Sequence, residues 1–133
     1  MTCLIDTSVF ITIERGHHTV DELVAILSGE PSALSSITAW ELLKGVHRGD
    51  TTNRRAHRLR QVDVVLESMP VLPFDLPAAR RCADLEFELR HSPINDPDLM
   101  IAAIALVNGF WVLTDNLRDF ERVPGLIARR PSW

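Results

Sequence analysis

The sequence predicts an α/β protein: a three-layer α/β/α sandwich with a central parallel sheet. Three observations carry that expectation. Short apolar runs alternate along the chain with longer segments of helical period, the pattern of parallel strands joined by crossover helices. Two of those runs end directly in acidic or polar residues, at Asp6 and at Thr114-Asp115-Asn116. And 133 residues, 46% hydrophobic and 24% charged, make a single domain (1–133) with a real core and no visible linker.

In order along the chain, Thr2–Ile5 reads as a buried strand, and Thr7 or Ser8 is placed to cap a helix over Val9–Glu14. Gly16 to His18 is a turn. Thr19-Val20-Asp21-Glu22 is a capping box, and Val20, Leu23, Val24 and Leu27 form the inward stripe of the helix behind it. Ala33–Ile37 is a second strand. Thr38-Ala39-Trp40-Glu41 is another capping box, opening a helix to about His47. Leu59, Val62, Leu66 and Met69 face inward on the next helix, with its arginines outward. Val71–Phe74 is a strand, and Asp75-Leu76-Pro77 starts a helix with the stripe Ala78, Cys82, Leu85 and Leu89. Asp96-Pro97 looks like an N-cap followed by proline at the first helical position. The helix from Asp98 to Asn108 is apolar nearly all round, so it belongs at the centre. Trp111–Leu113 is a further buried strand, Asp119-Phe120 a helical turn and Leu126–Ala128 a last strand. Trp40 and Trp111 are expected in the core.

Composition excludes several classes. The net charge of −4 argues against a simple basic nucleic-acid binder. One stretch is an exception: Lys44, Arg48, Arg54, Arg55, Arg58 and Arg60 stand against the single acid Asp50, a run able to contact phosphates or simply to face solvent. The longest apolar run, Leu99–Val107, is about half of the ~20 residues a membrane span needs, and no signal peptide is visible. Cys3 and Cys82 fit no metal spacing and read as core residues of a reduced, cytoplasmic protein. The histidines form no i, i+4 metal pair, and no glycine-rich phosphate loop is present.

The acids carry the chemistry. Asp6 and the Asp115–Asp119 segment each follow a buried strand at its carboxyl end, while Glu41 and Asp98 stand in first turns of helices. In an α/β sandwich these positions share one edge, so four acidic regions dispersed in sequence can converge in one pocket. Gathered carboxylates repel one another, and a divalent cation is the natural counter-charge; oxygen ligands alone favour Mg2+ or Mn2+ over Zn2+. Such an ion serves phosphodiester hydrolysis without a histidine base or a covalent nucleophile. Each acid also has a plain structural reading. Glu41 completes a capping box, Asp98 complements a helix N-terminus, Asp96 caps it, and Asp115, Asn116 and Asp119 suit a turn. Asp6 alone has no such partner evident in the sequence.

Four segments match a known family. Leu4-Ile5-Asp6-Thr7-Ser8 resembles the start of PIN-domain proteins, especially the VapC toxins of bacterial toxin–antitoxin pairs. So do Ser35-Ser36-Ile37-Thr38-Ala39-Trp40-Glu41-Leu42-Leu43-Lys44-Gly45, Asp98-Leu99-Met100-Ile101-Ala102-Ala103 and Leu113-Thr114-Asp115-Asn116-Leu117-Arg118-Asp119-Phe120. The resemblance spans nearly the whole chain, in the family's order. It implies an Mg2+- or Mn2+-dependent endoribonuclease that inhibits translation when freed from its antitoxin.

Position by position, the family's first metal-binding aspartate falls on Asp6, its glutamate on Glu41 and its third acid on Asp98 rather than Asp96. Asn116 occupies the fourth-acid position, so that role passes to Asp119, with Asp115 as a substitute. Asp6 and Asp98 would hold the metal, with Glu41 and Asp119 binding it or orienting the attacking water. Thr7, Ser8 and Thr38 would orient the carboxylates. Arg54, Arg55 and Arg58 would hold the RNA backbone or a stretch of antitoxin. The resemblance also implies a VapB-like antitoxin as partner and a homodimer. Two other readings compete. A receiver-like phosphoacceptor needs an adjacent acid pair and a distal lysine, and the only lysine is Lys44. A catalytically inactive PIN-fold binding module would not need the intact set Asp6, Glu41, Asp98 and Asp119.

Overall fold

The computed structural model describes all 133 residues. Its five strands are β1 (Cys3–Ile5), β2 (Ser32–Ser35), β3 (Val71–Leu72), β4 (Trp111–Leu113) and β5 (Ala128–Arg129). Its helices are α1 (Thr7–Glu14), α2 (Val20–Leu27), α3 (Ser36–Val46), α4 (Thr52–Ser68), α5 (Leu76–Glu88), α6 (Asp96–Asn108) and α7 (Leu117–Phe120). The strands form one sheet in the order β3-β2-β1-β4-β5, and every neighbouring pair is parallel.

Such short strands are stable because both faces are covered. Side chains alternate across a strand, and here they feed two separate cores. Leu4, Ala33 and Val112 pack with α5, α6 and Phe120. Cys3, Ile5, Leu34, Trp111 and Leu113 pack with Val9, Phe10, Leu23 and Leu42 from α1 to α3. The result is the expected three-layer α/β/α sandwich. α6 is the most enclosed helix, with Leu99 and Ile101 through Ala105 all buried, and its alanines allow α5 close against it. No helix is long and apolar enough to cross a membrane.

Several boundaries differ from the sequence reading, each for a local reason. α1 starts at Thr7, so Asp6 occupies the N-cap position, yet its side chain makes no capping bond. Thr7 and Ser8 are therefore not caps, and their hydroxyls are free for other partners. β2 stops at Ser35, whose hydroxyl caps α3 by accepting the Thr38 amide at 3.0 Å. The helix thus begins earlier than the Thr38 capping box implied, and Thr38 is a fully buried residue inside it. At α6 the cap is Asn95, which accepts the Asp98 amide at 2.9 Å, while Asp96 is the exposed first helical residue. The last strand falls on Ala128–Arg129 rather than Leu126–Ala128.

Two burial expectations also change. Trp111 is in the core, but Trp40 is 52% exposed, with the Lys44 ammonium 4.4 Å above its ring. On α2 only Leu23 is buried, while Val20 and Val24 face solvent. These two valines line a cleft of about 590 Å3 shared with Val62 and Val65 of α4, a helix with no fully buried residue. No element lies over this outer side of the first layer, so its apolar stripe stays half-covered.

Candidate active site

β1 and β4 are neighbours whose onward connections lead to opposite sides of the sheet, to β2 and to β5. The strand order reverses between them, and a crevice opens beyond their carboxyl ends. Asp6 stands at that point. Its amide extends the ladder onto the Leu113 carbonyl at 2.9 Å, and its side chain is 2% exposed. Asp6 Oδ2 accepts two hydroxyls, Ser8 at 2.7 Å and Thr114 at 2.8 Å. Each hydroxyl in turn accepts an amide from the loop after β4: Asp115 on Ser8 at 3.0 Å and Asn116 on Thr114 at 2.9 Å. The two strand ends are laced together around one carboxylate.

α6 delivers Asp98 to the same crevice. Asp98 Oδ2 accepts the amide nitrogens of Asn95 at 3.0 Å and Asn116 at 2.7 Å. Asn116 Nδ2 also donates to Asp119 Oδ2 at 3.0 Å. Its amide must point this way, because two ionised carboxylates can only accept. Asn116 is therefore the link between two acids. The other oxygen of Asp119 pairs with Arg122 at 2.9 Å, and Arg122 also reaches the Ser92 carbonyl at 2.9 Å and the Ser92 hydroxyl. This guanidinium ties α7 to the loop that precedes α6.

Glu41 reaches the site from α3. Thr7 donates to Glu41 Oε1 at 2.7 Å and lies 3.0 Å from the Thr38 hydroxyl, which accepts Ser35 at 3.3 Å. Freed from any capping box, Glu41 is half-buried with its carboxylate oriented by the residue after Asp6. Asp115 is held on the α1 side, its Oδ2 taking the Thr12 hydroxyl at 2.6 Å, and no hydrogen bond joins its carboxylate to Asp98 or Asp119.

The electrostatics are those of a site short of positive charge. Burial pushes the Asp6 carboxyl above its ordinary value, and the Ser8 and Thr114 bonds only partly oppose it. Asp98 is pushed up to about 6, by burial first and then by the charge of Asp6; the Asn95 and Asn116 amides act in the other direction. No lysine, arginine or histidine is paired with either residue. Two buried neighbouring carboxylates without a cation fit a divalent ion. The nearby donors are all oxygens or amides, and no three His, Cys, Asp or Glu side chains come together closely enough to hold an ion between them. Asp6 and Asp98 would therefore hold a hard cation with water completing its shell.

The structure thus brings together Asp6, Asp98, Asn116 and Asp119, with Glu41 joined through Thr7. It does not gather the arginines of the basic run. Arg54 is spent on Asp50 at 2.6 and 2.8 Å, Arg55 bonds the Gly49 carbonyl at 2.9 Å, and Arg58 bonds the Gly45 carbonyl at 3.2 Å and pairs with Glu14 at 3.7 Å. Three supporting residues escaped the sequence reading. Thr114 closes β4 as Asp6 closes β1, Asn95 stands a cap's spacing before Asp98, and Arg122 follows Asp119 by three. Only Asn95 carried a local signal, its spacing to Asp98.

Comparison with known proteins agrees with this arrangement. The PIN domain family matches residues 3–126. The ribonuclease VapC1 of Rickettsia felis is 33% identical over 128 residues, covering 95% of this chain and 93% of that one. A tRNA(fMet)-specific endonuclease VapC of Salmonella typhimurium is 36% identical over 102 residues, covering 75% and 74%. Among solved structures, DNA-bound VapBC from Salmonella typhimurium superposes with a TM-score of 0.86 at 28% identity, over 98% of both chains. With the match running from β1 to the last loop, and relatives a third identical over nearly the whole chain, this chain belongs to the PIN-domain family, in its VapC group.

Proposed function

We propose that this protein is a metal-dependent endoribonuclease, the toxin of a VapBC-type pair, and that its ion is Mg2+ or Mn2+. The observation that carries the reading is the pair Asp6 and Asp98, buried side by side at the sheet's switch point with no cation of the protein's own. A fold accepts that repulsion where a bound cation offsets it.

Asp6 and Asp98 would hold the cation. When bound, it lowers the pKa of water and neutralises charge on the phosphate and on the leaving oxygen. The protein does the rest by positioning. Ser8 and Thr114 fix Asp6, Asn95 and Asn116 fix Asp98, and Arg122 with Asn116 fixes Asp119. Glu41, held by a hydrogen bond from Thr7, would orient the attacking water and take its proton. The water oxygen would bond to phosphorus as the bond from phosphorus to one ribose oxygen breaks, and that oxygen would take a proton from solvent water while Glu41 keeps the one from the attacking water. Asp119 is the second acid for this role, and Asp115, fastened to Thr12, supports the loop instead.

The partner is a VapB-like antitoxin, since the structural relatives are VapBC complexes. The working form is a cytoplasmic homodimer, and the turn between α3 and α4, with Arg54 exposed and Arg55 and Arg58 tied beneath it, meets RNA backbone or antitoxin. Initiator tRNA is the first substrate to try, because the Salmonella relative is named for it. The test is incubation of purified protein with initiator tRNA and with total RNA, in Mg2+, in Mn2+ and in EDTA, beside Asp6→Asn. Discrete fragments that need metal and vanish in the variant are expected. A folded protein that cuts nothing and binds no Mn2+ would be an inactive PIN-fold binding module.

A further inference from the structure

α1 and α3 both start at the acids and run away from them side by side, touching at Thr7 and Glu41. One turn further on, Ile11 and Gly45 floor a cleft of about 540 Å3, walled by Arg15, Arg48, His57, Arg58, Glu14 and Gln61. From Glu41 to Val46, its last residue, the α3 axis advances about 7.5 Å, and Arg48 follows in the next turn. The cleft is thus the continuation of the active site along a furrow between two helices.

Its charge is not explained by the fold. Cations near a helix C-terminus commonly serve its last carbonyls. Here Arg58 serves the Gly45 carbonyl near the end of α3, Arg55 serves Gly49 in the turn that follows, and Arg58 also takes up the charge of Glu14. Arg15, Arg48 and His57 are exposed, and their side chains enter no hydrogen bond or ion pair. Two guanidiniums and an imidazole converge on one cleft whose single acid, Glu14, is paired with Arg58, in a chain of net charge −4. Arg54, Arg81 and Arg122 each pair with an acid, and what sets this cleft apart is that unpaired basic side chains share one cavity.

We propose that Arg15, Arg48 and His57 form a phosphate-holding site for the RNA strand, next to the cut and distinct from the carboxylate centre. A strand lying along the α1–α3 furrow presents its scissile phosphate to Asp6 and Asp98 and a later phosphate to this cleft. The arginines supply planar donor forks suited to phosphate oxygens. Gly45 keeps the floor open: a side chain added there would meet no atom within 4 Å. This site rests on the proposed ribonuclease reading, and the experiment keeps the two apart.

Binding is measured in the full-length Asp98→Asn protein, which holds RNA without cutting it, by fluorescence anisotropy of a labelled single-stranded 12-mer RNA between 50 and 250 mM KCl. Adding Arg15→Gln, Arg48→Gln and His57→Gln together should weaken binding at least ~10-fold at 100 mM salt and flatten the log–log salt slope by roughly two. Gly45→Glu, which puts an anion into open space at the cleft floor, should weaken binding in the same direction. Arg80→Gln, an exposed cation on α5 in the opposite layer, should change it less than about twofold. Equal affinity in the triple variant, or an equal loss in Arg80→Gln, would overturn the site. Cleavage is then read in the same substitutions without Asp98→Asn. If binding depends on the cleft but the native protein cuts no RNA, the ribonuclease reading fails and the phosphate site stands. If the native protein cuts RNA and the triple variant binds and cuts as well, the site fails and the ribonuclease reading stands.

Discussion

Asp98 is 8% exposed, lies beside Asp6 and titrates near 6 instead of its ordinary 3.8. Between those two values the folded protein keeps a proton that the unfolded chain has released. Stability therefore falls as pH rises from about 4 to about 6, and above 6 the full cost, on the order of 3 kcal/mol, is present. Asp98→Asn removes the charge without changing volume. In EDTA at pH 7.5 it should unfold at a higher denaturant concentration than the native protein, and the difference should shrink toward nothing by pH 4. A constant difference across that range would mean that the carboxylate is not desolvated. The same substitution should reduce RNA cleavage to background. Asp96→Asn is the contrast: Asp96 is exposed and caps nothing, so stability should shift by no more than about 0.5 kcal/mol and cleavage should persist.

At the scale of elements, the start of α6 joins stability to activity through one residue. Asn95 Oδ1 caps the helix while Asn95 Nδ2 holds Asp98. Asn95→Ala should lose about 1 kcal/mol in chemical denaturation, and cleavage should fall roughly 10-fold or more. Asn95→Asp keeps the cap but sets another anion beside Asp98, so stability should recover while cleavage stays low. If both recover together, Asn95 acts only as a cap. The sequence made β1, α2, α5, α6 and β4 legible because each has a run of one period bounded by its own turn chemistry. It misplaced the starts of α3 and α6 because Ser35 and Thr38, like Asn95 and Asp96, are capping residues within one turn of each other. Which of them caps depends on where the strand or loop releases the chain. Asp6 and Asp119 are legible from strand ends and Asp98 from a helix start, whereas Glu41, expected in a first turn, stands in the second turn of α3. Their holders mostly were not: Thr114 meets Asp6 across 108 positions, and no local spacing encodes that contact. Trp40 is exposed against expectation for a related reason, since an aromatic on a helix carries no mark of which side the sheet will cover.

For the molecule as a whole, the crevice joins two distant stretches of chain. Asp6 and Glu41 come from the first third, while Asp98, Asn116 and Asp119 come from the last. Hydroxyls and amides lace them together, yet the carboxylates themselves repel, so the apo protein is held against a local strain at its centre. A cation seated between Asp6 and Asp98 would turn that repulsion into a cross-link between β1 and α6. Stabilisation by a ligand that binds only the folded state grows as the logarithm of its concentration, reaching about 2.7 kcal/mol at a hundred times its Kd. Titration of Mn2+ into the metal-free native protein should therefore raise the melting temperature steadily by several degrees. Asp98→Asn, already relieved of the repulsion, should start from a higher melting temperature and gain little. The two curves should approach one another as Mn2+ rises, because metal and mutation remove the same electrostatic cost by different means. Parallel curves would place the ion elsewhere and leave Asp6 and Asp98 without the role their burial implies.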